Sequence, residues 1–276
     1  MRAFCSFLIL LAAPAAAENS LPRTPTYVQA EQPAQDLRYP GVMTLDIDAT
    51  DTARRILGVR QQIPVAVPGP LTLRYPEWLP GKHAPRGPIA ALAGLTISAG
   101  GKPVPWKRDP RDVYAFTVDV PKGAKVLDVR FQYLSPTEGN QGRVSVTAEM
   151  LNLQWETVAL YPAGHYTRQI RVRPAVTLPE GWQGVAALDG VVRTGNTLRY
   201  AETDFETLVD SPMFAGSNYK AWDLGHDVRL NVFADRPGDL AATDDQIAAH
   251  RRMVDQAIKL FGSRHYDRYE FLFALS

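Results

Sequence analysis

Five histidines, His83, His165, His226, His250 and His265, are the first residues to weigh for metal chemistry. A helical zinc hydrolase site needs two histidines four positions apart with a glutamate between them, so that both rings face one metal. The closest two here, His250 and His265, stand fifteen positions apart, and no such pair exists. His250 falls on the apolar stripe of a helix and His226 opens a strand, which assigns both to packing or surface roles. Acyl-enzyme chemistry has no seat either, because there is no Gly-x-Ser-x-Gly elbow and the single cysteine is Cys5. Phosphate cradles are absent, and Gly139-Asn140-Gln141-Gly142 reads as a hairpin loop between strands, with no helix dipole behind it. Asp46-Ile47-Asp48-Ala49-Thr50-Asp51 begins like a calcium loop but lacks the glycine and the closing glutamate. Lys plus Arg (30) nearly cancels Asp plus Glu (29), and no basic block occurs, so nucleic acid is excluded as a partner.

The elements that would position any site divide the chain into four stretches. Residues 1–17 pair a basic start, Arg2, with an apolar run and the small residues Ala15-Ala16-Ala17, the layout of a secretory signal peptide cleaved near Ala17. The apolar run is too short for a stable membrane anchor. Cleavage would also remove Cys5, leaving no thiol for disulfides or thiolate metal sites. Residues 18–40 carry four prolines and no sustained period, and read as an extended arm. Residues 41–234 form a β-rich domain: alternation marks strands at Val42 to Asp48, Leu71 to Tyr75, Leu95 to Ser98, Val113 to Val120, Val126 to Leu134, Arg143 to Leu153 and Thr167 to Arg173. The same texture continues through Gly184 to Tyr200 and His226 to Ala234, with sandwich-like spacing of the turns.

Residues 235–276 change texture after the turn at Asp235-Arg236-Pro237-Gly238. Thr243 with Gln246 makes a capping box, Asp244 and Asp245 suit the helix dipole, and Gly262 supplies the stop. Ile247, His250, Val254, Ala257, Ile258 and Phe261 fall on one helix face, and Tyr269, Phe271, Phe273 and Leu275 alternate in a final strand. That strand has no partner within its own segment, so the chain is expected to be a piece of something longer, and trimming after Asp235 is expected to give a better-behaved domain.

Three stretches, in order, resemble the glycyl aminopeptidase family, the PDZ-carrying zinc metallopeptidases of peptidase family M sixty-one. They are Leu73-Arg74-Tyr75-Pro76-Glu77-Trp78-Leu79-Pro80-Gly81, then Phe205 to Pro212 with its following glycine, then Leu260-Phe261-Gly262 leading to Tyr269-Glu270-Phe271-Leu272-Phe273. The sequence departs from the family at Lys82-His83, where a Ser-Tyr pair is usual. The resemblance implies a mainly β fold, an antiparallel β-sandwich-like N-terminal domain followed by the first helix and strand of a truncated α+β thermolysin-like catalytic domain. It also implies that the zinc-binding His-Glu-x-x-His helix and its downstream glutamate lie beyond Ser276. No catalytic or metal residue is then present in this chain; zinc belongs to the full-length protein, and peptide substrate is met through the missing catalytic domain.

The surface around Asp210, Ser211 and Gly216 is expected to face the catalytic cleft. The chain alone is expected to be inactive, exported to periplasm or medium. The alternative reading is an autonomous exported β-sandwich that binds peptide or glycan through Trp106, Trp182 or Trp222. Substrate preference and oligomeric state leave no mark in the sequence.

Overall fold

The computed structural model describes residues 33–276 apart from Pro80 and Gly142. The signal segment 1–17 and most of the arm 18–40 therefore lie outside the described residues. The last residues of that arm are pinned to the domain: Tyr39 is buried, its backbone N–H donates to the Gln169 carbonyl and its hydroxyl to the Pro64 carbonyl.

Strict alternation builds the main sheet. In Val42–Asp51 the side chains of Met43, Leu45, Ile47 and Ala49 point inward while the acidic Asp46 and Asp48 point out. The would-be calcium loop is thus the outer face of a strand, with Asp48 accepting from the Thr50 backbone and hydroxyl. This strand lies at the centre of a nine-stranded sheet. Ile56–Pro64, Val126–Leu134 and Leu92–Ala99 follow on one side, antiparallel, and Arg171–Thr177 pairs in parallel on the other. A four-stranded sheet built around Gly69–Arg74 and Ala115–Val120 supplies Leu73, Phe116, Val118 and Val120 to the same core. Two sheets sharing one apolar interior make the sandwich-like, mainly β domain that the alternation implies.

Several local readings need correction. Ile56–Pro64 is a full strand whose alternation is masked by an inward glutamine, Gln61, 1% exposed. Its amide is fully used, donating to the Leu160 carbonyl at 2.6 Å and accepting from the Leu160 N–H at 3.0 Å, so a polar residue sits in the core with no orphaned groups. Only Met150–Leu153 of the stretch 143–153 is a strand, and the strand read at Thr167 to Arg173 begins later, as Arg171–Thr177 after a single helical turn at Thr167–Gln169. Met213–Gly216 and Asn218–Asp223 are further strands, between which Ser217 donates to the Glu149 carboxylate.

The helix Asp244–Phe261 forms as its sequence signals require: the Thr243 and Gln246 side chains cap each other's backbone, and Gly262 adopts φ +67° to end it. Ile247 and Val254 are buried in a second apolar cluster with Leu224, Val228, Leu230 and Val232. The strand expected to lack a partner has one. Tyr269–Leu275 runs parallel to Val228–Ala234 over its whole length, within a three-stranded sheet that also contains Asn218–Asp223. The boundary expected at 235 therefore crosses a sheet that draws strands from both sides. Leu260 and Phe261, at 78% and 75% exposure, remain outside either core.

This pairing reverses the trimming expectation, because cutting after Asp235 removes the cover from Val228, Leu230 and Val232. The shortened chain is expected to aggregate or melt several degrees below the 276-residue chain in light-scattering and thermal-melt measurements. A shortened chain that stays monomeric with an unchanged melting temperature would contradict the assignment of these residues to a shared core.

Candidate functional site

A groove of about 1310 Å³ opens between four segments of the β domain: the stretch after Gly69–Arg74, the loop after Val126–Leu134, and the turns at 154–157 and 209–212. Each wall has a local cause. In the first, the Arg86 and Gly87 N–H groups both donate to the Glu77 carbonyl, and Gly87 passes so close to Pro76 that a Cβ there would lie 1.9 Å from the Pro76 carbonyl oxygen. Only glycine permits that approach. Lys82, His83 and Arg86 of this segment line the groove, as does Arg143 from the opposite loop, and all four are exposed.

The floor is a single helical turn, Trp155–Thr157. Its backbone is tied by the Thr157 N–H and hydroxyl, which both donate to the Gln154 carbonyl, and by the Tyr75 hydroxyl, which donates to the Thr157 carbonyl at 3.1 Å. Trp155 is fully buried and stands edge-on to Tyr200. Its indole N–H donates to the Ser211 carbonyl at 2.7 Å, fastening the floor to the last wall.

That wall is the short helix Phe205–Val209. Asp204 caps it, accepting from the Thr207 N–H and hydroxyl at 2.8 Å each, and Phe205 and Leu208 anchor it in the core. Asp210 follows as the C-terminal cap, exposed, and lines the groove with Val209 and Pro212.

Glu156 is the chemically unusual member of the lining. It is 8% exposed, and among the described residues its Oε2 is the fully buried side-chain polar atom left without a hydrogen-bond partner. Burial pushes its carboxyl above the ordinary range, opposed in part by its own backbone N–H and by the charges of Arg143 and Lys82. Tyr75 and Tyr133 beside it are also pushed up, chiefly by burial, and stay neutral. A buried acid that is neither paired nor fully hydrogen-bonded is a cost to folding, and such costs concentrate where a ligand is met.

The three residues expected at a cleft separate in the structure. Asp210 lines the groove. Ser211 is buried and contributes its carbonyl to Trp155, and Gly216 lies in a strand where a Cβ would come within 2.7 Å of the Glu149 carbonyl oxygen. Neither is among the groove-lining residues. Glu156 is missing from the expected set because nothing in composition separates a buried glutamate from a surface one; its place inside the apolar run Leu151 to Leu160 is the available signal.

The tryptophans named for a glycan or peptide surface do not form one. Trp182 is buried, Trp106 is half-buried and donates to the Leu95 carbonyl, and Trp222 is half-buried beneath the Lys220 ammonium at 4.8 Å. The exposed indole is Trp78, at 63%. A second crevice, about 590 Å³, lies near Leu188 and Glu270, but its His226, Asp227 and Arg268 are already paired with Asp255, Arg264 and Asp189.

A carboxyl whose folded-state pKa is raised holds its proton more tightly folded than unfolded. Its contribution to stability is complete at pH below the ordinary carboxyl range and is lost as pH rises through the raised value. Glu156→Gln keeps the shape without the charge, so it is expected to add about 1 kcal/mol, or roughly 2–4 °C in melting temperature, at pH 8 and nothing at pH 4. Thermal melts of both proteins across that range test this; an equal effect at both ends, or a loss at pH 8, would contradict it.

Comparison with known proteins gives this groove a family context. No curated protein matches the chain by sequence. An aminopeptidase N family protein from Idiomarina loihiensis is similar in structure, with a TM-score of 0.68 at 16% identity, over 84% of this chain and 39% of that one. Native leukotriene A4 hydrolase from Saccharomyces cerevisiae is similar with a TM-score of 0.50 at 13% identity, over 95% of this chain and 42% of that one. The chain spans about two fifths of the length of these solved proteins, and at such identities the likeness is one of fold. The model of the Peptidase M61 N-terminal domain matches residues 44–217, a span that contains every residue lining the groove. With well over half of its length so matched, the chain belongs to the Peptidase M61 N-terminal domain family.

Proposed function

We propose that the chain is the N-terminal β portion of an exported zinc metallo-aminopeptidase, supporting a catalytic domain that follows it and forming one wall of the catalytic cleft. The observation that carries this reading is the groove itself: Asp210 and the unpaired Glu156 line one cavity inside the span that defines the family. Export to the periplasm or the medium rests on the N-terminal layout of Arg2, the apolar run and Ala15-Ala16-Ala17. No helix among the described residues is long and apolar enough to cross a membrane.

The residues present do not fit zinc. Among the described residues no three His, Cys, Asp or Glu side chains gather as a metal site requires. In this reading the metal belongs to the following domain, where two histidines and a glutamate would hold it, and no catalytic step is assigned to this chain. Its contribution is to bind and orient peptide substrate at the cleft wall and to keep water from that side.

Kinetics of the full-length protein test the reading. Asp210→Asn is expected to lower kcat/KM for aminoacyl substrates about tenfold with an unchanged melting temperature, because binding energy at a cleft wall is spent on positioning. The 276-residue chain by itself is expected to hold no stoichiometric zinc and to hydrolyse none of these substrates. Full-length kinetics untouched by Asp210→Asn and by Glu156→Gln, or one tight zinc in the isolated chain, would overturn it.

A further inference from the structure

We propose that the outer edge of the C-terminal sheet is a self-association surface: a second copy of this chain pairs its Tyr269–Leu275 strand antiparallel with the same strand here, about a twofold axis at Leu272. The edge shares no residue with the groove, so this association is independent of the cleft-wall reading. A domain joined after Ser276 would compete with the second copy for the same edge.

The edge is open and unguarded. Among the described residues Tyr269–Leu275 pairs with Val228–Ala234 alone. The Tyr269 N–H donates to the Asp227 carbonyl and the Asp235 N–H donates to the Leu275 carbonyl, so the odd-numbered residues turn their backbone groups toward that partner. Alternation leaves the N–H and C=O of Glu270, Leu272 and Ala274 on the outer side. Folded proteins blunt such edges with lysine, proline or a bulge. The opposite edge of the same sheet, Asn218–Asp223, carries Lys220 and Asp223. Tyr269–Leu275 holds neither lysine nor proline, and its register runs without a bulge. Its one charge is engaged inside the chain: Glu270 Oε2 accepts from the Asn231 amide at 2.8 Å, and Oε1 lies 3.8 Å from Arg268 Nε.

A second copy fits because the strand is complementary to itself. Pairing centred on Leu272 sets Leu272 against Leu272 and Glu270 against Ala274, so the outward backbone groups of all three residues find partners. The positions between them set Phe271 against Phe273 and Tyr269 against Leu275 on the helix face, apolar pairs in which no like charges meet. Phe273 and Leu275, at 47% and 37% exposure, gain cover. The helix Asp244–Phe261 supplies a matching flank. Arg251 donates to the Asp223 carbonyl and Asp255 pairs with His226, which ties one side of the helix toward the far edge of the sheet. Met253, Ala257 and Leu260, spaced four and three apart, lie on the other side and are all exposed. A twofold axis normal to the sheet turns each of these stripes toward its twin.

Sedimentation equilibrium of the 276-residue chain over a range of concentrations, with amide hydrogen exchange, tests this. The mass is expected to double as concentration rises, and exchange at Glu270, Leu272 and Ala274 to slow with it. Ala274→Pro removes an outward N–H and leaves the pairing with Val228–Ala234 intact, so it is expected to weaken association about tenfold or more. Met253→Glu with Leu260→Glu puts like charges across the axis at exposed positions, and is expected to give a monomer that melts at the temperature of the diluted parent. A chain that stays monomeric at its highest soluble concentration would overturn the proposal, as would a dimer that either variant leaves unchanged. So would a dimer in which those three amides exchange as in the monomer, or growth past two copies, since a twofold contact closes on itself.

Discussion

The indole N–H of Trp155 has one partner, the carbonyl of Ser211, and the bond between them closes the structure around the groove. It joins residues 56 positions apart in sequence and lies wholly in the core, where losing it would leave a buried donor and a buried acceptor unpaired. On one side it fixes the turn that carries Glu156, on the other the end of the short helix that presents Asp210. The neighbouring strands repeat the connection, since Met150–Leu153 pairs with Met213–Gly216 residue for residue. Gly216 serves that pairing: its missing side chain lets the Glu149 backbone approach. The floor and one wall of the groove are thus a single rigid unit, which is what holding an unpaired acid in place requires.

The same rigidity explains how the domain tolerates Glu156. A glutamate on a loose loop would turn to water, whereas here the turn is tied by Thr157, Tyr75 and Trp155 at once. Stability comes from the sandwich core, where Met43, Leu45, Leu57, Ile63, Leu73 and Leu127 are fully buried, and the groove draws on that surplus. The rim is built differently, from solvated side chains on loops, so its charges can be changed without touching the core. Position and charge are thereby separated: the core places the acid, the loops decide what reaches it.

Much of the fold is legible from residue order because burial follows alternation. Val42–Asp51 and Val126–Leu134 alternate cleanly, and the helix Asp244–Phe261 is announced by Thr243, Gln246 and Gly262. Ile56–Pro64 is hidden because Gln61 occupies an inward position that only the distant Leu160 backbone makes acceptable. The Tyr269–Leu275 strand looks partnerless in sequence because its partner, Val228–Ala234, lies on the far side of a helix. At the site, Asp210 can be named because a family resemblance points to its segment, whereas Glu156 and the Trp155 bond that holds it depend on contacts between distant segments. Local pattern carries secondary structure; the chemistry of this groove is tertiary.

If the groove of Glu156 and Asp210 forms a wall of a peptidase cleft, the metal must lie within reach of it. A structure of this chain joined to the proposed catalytic domain, with zinc bound, tests this most directly. The expected result is that Asp210 and Glu156 line the same cavity as the zinc. A groove that opens to bulk solvent on a face away from the metal would contradict it.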